Sequence, residues 1–300
     1  ITVIGACSTA THGSGKNNGN LATNISGIDI IKANGDFVHL SSNNKNSEFY
    51  GSVVSLGSLG VVTKVYLDLV PSYEMRQIVY KGLSLENFKN NFNDIIECGY
   101  SISFFTDWKK KIFDQVWIKE IVTNDRSIPI ESDFFGATLS TKDLHPLKSH
   151  SAKTCTTQRG IPGPWYERLP HFRLNSSLIK NKELQSEYFV SIDNALDALF
   201  VIESVSDILA PLLKISEVRI ICEDNFWLSP SYKQDCIGIH FTWHNKLSEI
   251  NILLPILESN LFPFLVRPHW GKLFSMNSVK LKKLYKRMVD FQSLLFDFDP

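Results

Sequence analysis

The spacing of hydrophobic and polar positions changes several times along the chain, and each change predicts an element. Gly27 to Ala33 is an apolar-rich run that reads as a strand. Asn34-Gly35 is a two-residue hairpin signal, and Asp36 to Leu40 returns antiparallel. Residues 41–48 form a polar loop. From 61 to 70 the pattern alternates: Val61, Thr63, Val65, Leu67 and Leu69 face one way, and Lys64, Tyr66 and Asp68 the other. That predicts a half-buried strand ended by Pro71. Ser84 to Glu97 reads as a helix, and Ser101–Thr106 and Phe113–Ile121 as strands. Residues 122–170 are rich in loop signals. Ile192, Leu196, Leu199, Ile202, Val205 and Leu209 recur at helical spacing, with Ser191 as N-cap and Pro211 as stop. Strands follow at 215–222 and 236–243, then a helix near 247–259. A last helix is expected over 278–295, with Leu281, Leu284, Tyr285, Met288, Phe291 and Leu295 on one side.

Helices and strands do not alternate strictly. The pattern therefore predicts an α+β fold with a largely antiparallel sheet flanked by helices, not a doubly wound parallel sheet. Pro71 divides the chain into an expected unit at 1–72 and a larger one at 73–300. Ile1 to Gly5 reads like the middle of a strand, and the chain reads as a fragment of a longer protein.

Composition narrows the function classes. The 300 residues are 43% hydrophobic, with 31 basic and 31 acidic side chains and a formal net charge of zero. A neutral chain gives no electrostatic footprint for nucleic acid. No apolar run approaches the length that spans a bilayer. The five cysteines, Cys7, Cys98, Cys155, Cys222 and Cys236, are odd in number and lack CxxC spacing. They suit a reducing, cytoplasmic compartment and give no zinc pattern. No metal site is expected.

Two kinds of segment carry candidate chemistry. Thr11-His12-Gly13-Ser14-Gly15-Lys16-Asn17-Asn18-Gly19-Asn20 packs three glycines into seven residues. Glycines let a ligand approach the backbone closely, and successive free N–H groups make an anion cradle. The same composition equally suits a surface loop rich in turn formers. In the second half, Glu217 and Arg219 share one strand face, and His240 and Thr242 share another, by the period-two rule. Glu183-Leu184-Gln185-Ser186-Glu187-Tyr188 and Arg267-Pro268-His269-Trp270-Gly271-Lys272 carry further polar groups. By spacing alone these remain equally consistent with solvated faces and surface ion pairs.

The glycine-rich opening from Gly5-Ala6-Cys7-Ser8-Thr9-Ala10 through Gly15, with Gly19-Asn20-Leu21, resembles the second half of the FAD domain of the vanillyl-alcohol oxidase superfamily. Ser55-Leu56-Gly57-Ser58-Leu59-Gly60-Val61-Val62-Thr63, roughly 40 residues on, resembles that domain's second signature. Ser101 to Trp108, Gly160 to Trp165, Glu167 to Arg173 and Trp227-Leu228-Ser229-Pro230 resemble the alditol oxidase (xylitol oxidase) family. More distantly they resemble the sugar-1,4-lactone oxidases, which share its substrate (cap) domain.

The resemblance implies FAD as cofactor, held by Thr11, His12, Gly13, Ser14, Asn18, Gly19, Asn20, Leu21, Gly60, Val61, Val62 and His269. It implies a polyol or sugar substrate held by Gln185, Thr242 and the position of Ala6. It implies Arg219, Lys272, Glu217 and His240 as catalytic residues. There, Arg219 and Lys272 stabilise a developing alkoxide, and Glu217 accepts from a hydroxyl and orients Arg219. Neutral Lys272, His240 or water takes the proton. The family's Ser stands here as Ala6. Oxygen is the implied acceptor and a monomer the implied state. The alternatives are a D-arabinono-1,4-lactone-type oxidase and a non-catalytic remnant without flavin.

Overall fold

In a computed structural model the protein is described over residues 1–43, 47–123, 129–173 and 183–299. The expected loops at 41–48 and 122–170 lie partly outside these residues.

The opening is not a strand but a helical turn, α1 (Val3–Cys7). Thr2 caps it by accepting from the Gly5 amide at 3.1 Å, and Ala6 and Cys7 point inward. β1 (Ile25–Ile31) and β2 (Phe37–Ser41) form the expected hairpin. Its loop has three residues, Ala33-Asn34-Gly35, not two. Lys32 N–H donates to Asp36 O, Gly35 N–H donates to Lys32 O, and Gly35 takes φ +88. After α2 (Glu48–Ser52), β3 (Val61–Leu67) pairs with β1, completing a sheet in the order β2-β1-β3. The simple alternation expected along β3 fails because its register with β1 shifts twice. Val62 and Val65 turn toward the core, while Val61 and Leu67 stay exposed.

A larger antiparallel sheet holds the rest. Its parts are β4 (Glu74–Ser84), α3 (Leu85–Asn90), α4 (Phe92–Ile96), β5 (Ser101–Thr106), β6 (Ile112–Val122), β7 (Asp133–Phe134), β8 (Ala137–Leu139) and β9 (Gly163–Pro164). Then come β10 (Leu184–Ser191), α5 (Ala195–Ser204), α6 (Ser206–Leu209), β11 (Leu213–Ile221) and β12 (Cys236–Trp243). α7 (Leu247–Leu261), β13 (Arg267–Pro268), α8 (Ser278–Leu284) and α9 (Met288–Phe298) complete it. The strand order is β13-β10-β12-β11-β5-β6-β4-β8-β7, with β9 against β4.

Three helices expected as continuous are each divided. The first breaks at Asn91, where φ is −123 and ψ 28, after a start capped by the Ser84 hydroxyl. The second breaks at Val205, a β-branched residue outside helical geometry, and the third at Tyr285.

One face of the large sheet carries Tyr188, Val190, Val218, Ile220, Ile239, Phe241 and Trp243 into the main core beneath α5 and α7. Phe241 and Trp243 stack there at 5.1 Å. The opposite face carries the polar alternates. A second core covers the small sheet and draws Phe226, Trp227 and Leu228 from the β11–β12 connection and Phe291, Leu294 and Phe298 from α9. Each such side chain contributes about 1.5–3 kcal/mol on burial. They hold the two sheets together, with the glycine-rich segment at the junction. Among the described residues, no helix is long and apolar enough to cross a membrane.

Candidate active site

Three adjacent strands present the polar face in rows. Gln185 on β10 stands opposite Thr242 on β12, Glu187 opposite His240 and then Glu217 on β11, and Phe189 opposite Gly238 and then Arg219. Gly238 carries no side chain between Glu187 and Arg219. A methyl group there would lie 3.1 Å from Glu187 Oε1. The guanidinium crosses that gap.

The turn after β13 covers β10 from one side. His269 N–H donates to Glu187 O, Leu273 N–H to Gln185 O, and the Trp270 indole N–H to Leu228 O at 2.7 Å. The glycine-rich segment covers β11 from the other side. Gly15 N–H donates to Ile220 O and Cys222 N–H to Asn18 O. This brings His12 and Lys272 over the same row.

The groups meet on Glu187, whose side chain is fully buried. Its Oε1 receives Arg219 Nη2 at 2.6 Å and lies 3.2 Å from His12 Nε2, and its Oε2 receives Lys272 Nζ. Lys272 Nζ also lies 2.9 Å from His240 Nδ1, and His240 Nε2 lies 3.0 Å from Thr242 Oγ1. Glu217 Oε1 is 2.9 Å from His171 Nε2 and 3.8 Å from Arg219 Nε. Arg219 Nε is buried, with no hydrogen-bond partner among the described residues.

Burial alone would push Glu187 up, but Arg219, Lys272 and His12 hold it well below the usual carboxylate range. Glu217 is likewise pulled down against its burial, chiefly by Arg219 and His171. Burial lowers His12 and His240, and takes His269 down to about 3, so the three imidazoles are neutral. Burial also outweighs Glu187 at Lys272 and weakens its ammonium.

A cavity of about 580 Å³ opens over this network. Ala6, Thr9, Thr11 and His12 line one wall, and Gln185, Glu187, Arg219, His269 and Lys272 the other. A second cavity of about 680 Å³ lies beside Gly13, Ser14, Asn18, Gly19, Leu21 and His171, and Arg219 borders both. Glu217, His240 and Thr242 sit in the buried network without lining the first cavity. Asn20 is buried, donating to Asp224 Oδ2 at 2.7 Å. Gly60, Val61 and Val62 line neither cavity. They start β3, where Gly60 takes φ +122 close against Ile31 O.

One reading from the sequence needs correction. Glu187, not Glu217, makes the close ion pair that aims Arg219, because β10 approaches Arg219 across Gly238 while Glu217 is engaged by His171. Glu187 itself was missed, although its position two residues after Gln185 puts it on the same strand face. His12, Glu187 and His269 offer ligand atoms within 4.8 Å of one another. Arg219 and Lys272 already neutralise that carboxylate, so a divalent cation there would face two fixed positive charges.

Comparison with known proteins finds relatives by sequence. A family model described as D-arabinono-1,4-lactone oxidase matches residues 177–300. The chain is 41% identical over 300 residues to an alditol oxidase from a Streptomyces species, covering all of this chain and 70% of that protein. It is 24% identical over 317 residues to an L-gulono-1,4-lactone dehydrogenase from Mycobacterium tuberculosis, covering all of this chain and 71% of the relative. It is 30% identical over 315 residues to the L-gulonolactone oxidase of Mus musculus, with 71% of that protein covered. The chain is therefore a flavoprotein oxidoreductase acting on CH–OH groups of sugar-like molecules. The chain belongs to the family of alditol oxidase and the sugar-1,4-lactone oxidases.

Proposed function

We propose that this protein is an FAD-dependent oxidase that removes hydride from the primary hydroxyl carbon of an alditol of the xylitol or sorbitol type. Oxygen is the final acceptor, and an aldose and hydrogen peroxide are the products. The observation that carries the reading is the convergence of Arg219 and Lys272 on Glu187 at a cavity wall faced by the glycine-rich segment.

The residues present fit a flavin nucleotide. The backbone at Gly13 has open space beside it, with no heavy atom within 4 Å of the position a methyl would take. Arg219 Nε is a buried donor with no acceptor among the described residues. The neutral rings of His12 and His269 stand 5.9 Å apart. Thr11, His12, Gly13, Ser14, Asn18, Gly19, Leu21 and His269, which line the two cavities, would hold FAD, which when bound supplies the hydride acceptor.

The protein's own residues do the rest. Arg219 and Lys272 place positive charge beside the substrate oxygen and stabilise it as it becomes an alkoxide. Glu187 keeps both cations in place and screens them from each other. Gln185 on the cavity wall fixes a further hydroxyl, and Thr242 holds His240 from behind, which makes the transfer effectively intramolecular. Lys272, whose ammonium burial weakens, passes a proton to His240 Nδ1 at 2.9 Å and takes up the departing hydroxyl proton in its place. A site that bonds every hydroxyl rejects apolar alcohols strongly.

A sugar-1,4-lactone substrate is the second reading, favoured by the family match over 177–300 and by Ala6, which offers no hydroxyl to an open polyol. Peroxide release by the flavin-loaded protein from a panel of polyols and sugar lactones separates the two. Turnover of xylitol or sorbitol is expected; turnover of lactones alone reverses the order, and a folded protein that binds no flavin removes both.

A further inference from the structure

Lys119 on β6 is 1% exposed, with Gln77 of β4 and Ser101 of β5 as its cross-strand neighbours. A buried cation is costly unless its charge and donors are answered. Lys119 Nζ donates to the Leu169 carbonyl and lies 3.1 Å from His171 Nδ1. The carboxylate whose field favours its charge is Glu217, on the far side of that imidazole. The ring of His171 is held edge-on by Trp117 at 5.2 Å and Phe105 at 5.6 Å, and its Nε2 meets Glu217 Oε1 at 2.9 Å.

Hydrogen-bond chemistry then assigns the protons. An ammonium has no lone pair, so it can only donate. His171 Nδ1 must therefore be the acceptor, the ring proton sits on Nε2, and Nε2–H donates to Glu217 Oε1. Among the described residues, Oε2 of Glu217 has no partner.

We propose that Lys119 and His171 are positioning residues for Glu217: Lys119 fixes the tautomer of His171 that caps one carboxylate oxygen and leaves the other for a substrate hydroxyl. The inference rests on the reading of Glu217 as a hydroxyl acceptor. Burial keeps His171 neutral, as the arrangement requires, and brings Lys119 down to about 7. Among the described residues, the other titratable group whose charge acts on Lys119 is the Cys155 thiol, which burial raises to about 11 and so keeps uncharged. The tautomer is enforced on the acid side of the Lys119 titration. On the alkaline side the neutral amine can also accept from Nδ1–H.

The test is the nitrogen NMR spectrum of labelled histidine in the flavin-loaded protein, recorded with polyol kinetics on the acid side of that titration. His171 is expected as the Nε2–H tautomer in the parent protein and as a mixture in Lys119→Met. The same substitution should raise KM for the polyol by about tenfold, as expected when a hydrogen-bonded carboxylate is left misoriented. His171→Gln, whose amide can still donate to Glu217, should stay within a few-fold of the parent KM, and His171→Phe should match Lys119→Met. Should Lys119→Met fail to fold, the His171 pair carries the same comparison. An unchanged tautomer, an unchanged KM in Lys119→Met, or equal KM values for the two His171 variants overturns the proposal. The spectrum reads the tautomer without turnover, so a protein that oxidises no polyol would sink the substrate reading while leaving the tautomer assignment to stand or fall by itself.

Discussion

Glu187 is the residue on which the site depends, because two buried cations converge on it. Removing one partner of a buried ion pair costs about 3–5 kcal/mol, mostly from the charge left behind. Glu187→Gln keeps the shape and one acceptor but cannot neutralise Arg219 and Lys272. We expect denaturant unfolding to show a loss of about 3 kcal/mol, with turnover nearly abolished. A midpoint equal to the parent's would mean that the cations find their compensation elsewhere. Ala6 tests the opposite change, since it lines the cavity across from Gln185. Ala6→Ser should lower KM for open polyols by about threefold to tenfold, the worth of one added hydrogen bond, and leave kcat little changed. If KM for lactones falls instead, the lactone reading gains.

At the scale of elements, the legible parts of the sequence were those whose period matched a single environment. β12 alternates apolar and polar across a face buried in the core and a face lining the site, and residues 236–243 were readable without the structure. The pairing of Glu217 with Arg219 and of His240 with Thr242 followed from the same rule, while Gln185 and Lys272 came only through family resemblance. β4 was not legible, because a strand in the middle of a wide sheet is covered on both faces and Gln77 is buried beside Met75 and Ile78. Glu187 was hidden for a related reason: its partners lie 32 and 85 residues away, and no local pattern records them. Gly238 tests how closely β10, β12 and β11 must approach. Its backbone is not in the left-handed region, so alanine costs no backbone strain there. The added methyl would meet Ile221 Cδ1 at 3.0 Å and Glu187 Oε1 at 3.1 Å. Gly238→Ala should fold, and should lower kcat/KM by about tenfold or more by displacing Glu187 from Arg219. Parent-like kcat/KM in a variant with a normal melting curve would show that the carboxylate has room to move.

At the scale of the whole molecule, the site lies where two cores meet, so its charges also govern how stability follows pH. Glu187 and Glu217 are held below the usual carboxylate range in the folded state. Their contribution is therefore complete above the unfolded value of about 4.3 and is lost as pH falls below it. Asp224 has the opposite sign. Burial raises it to about 6 despite donors from Ser229 and Asn20, so its contribution is present while it is protonated and is lost as pH rises toward 6. Asp224 links Asn20 of the glycine-rich segment to the connection before β12, so this cost falls on the joint between the two sheets. The buried imidazoles of His12, His171, His240 and His269 act in the same direction as the two glutamates, since each takes up a proton on unfolding below about 6.5. Thermal melts recorded across the acid range should therefore show a shallow decline as pH falls below about 6.5, blunted by Asp224, and a steep one below about 4.3. Glu217→Gln keeps an acceptor for His171 but has no charge to lose, and it should flatten the steep limb without touching the shallow one. If the steep limb persists unchanged in that variant, and in Glu187→Gln as well, acid unfolding begins outside the site and the ionic network is a passenger in it.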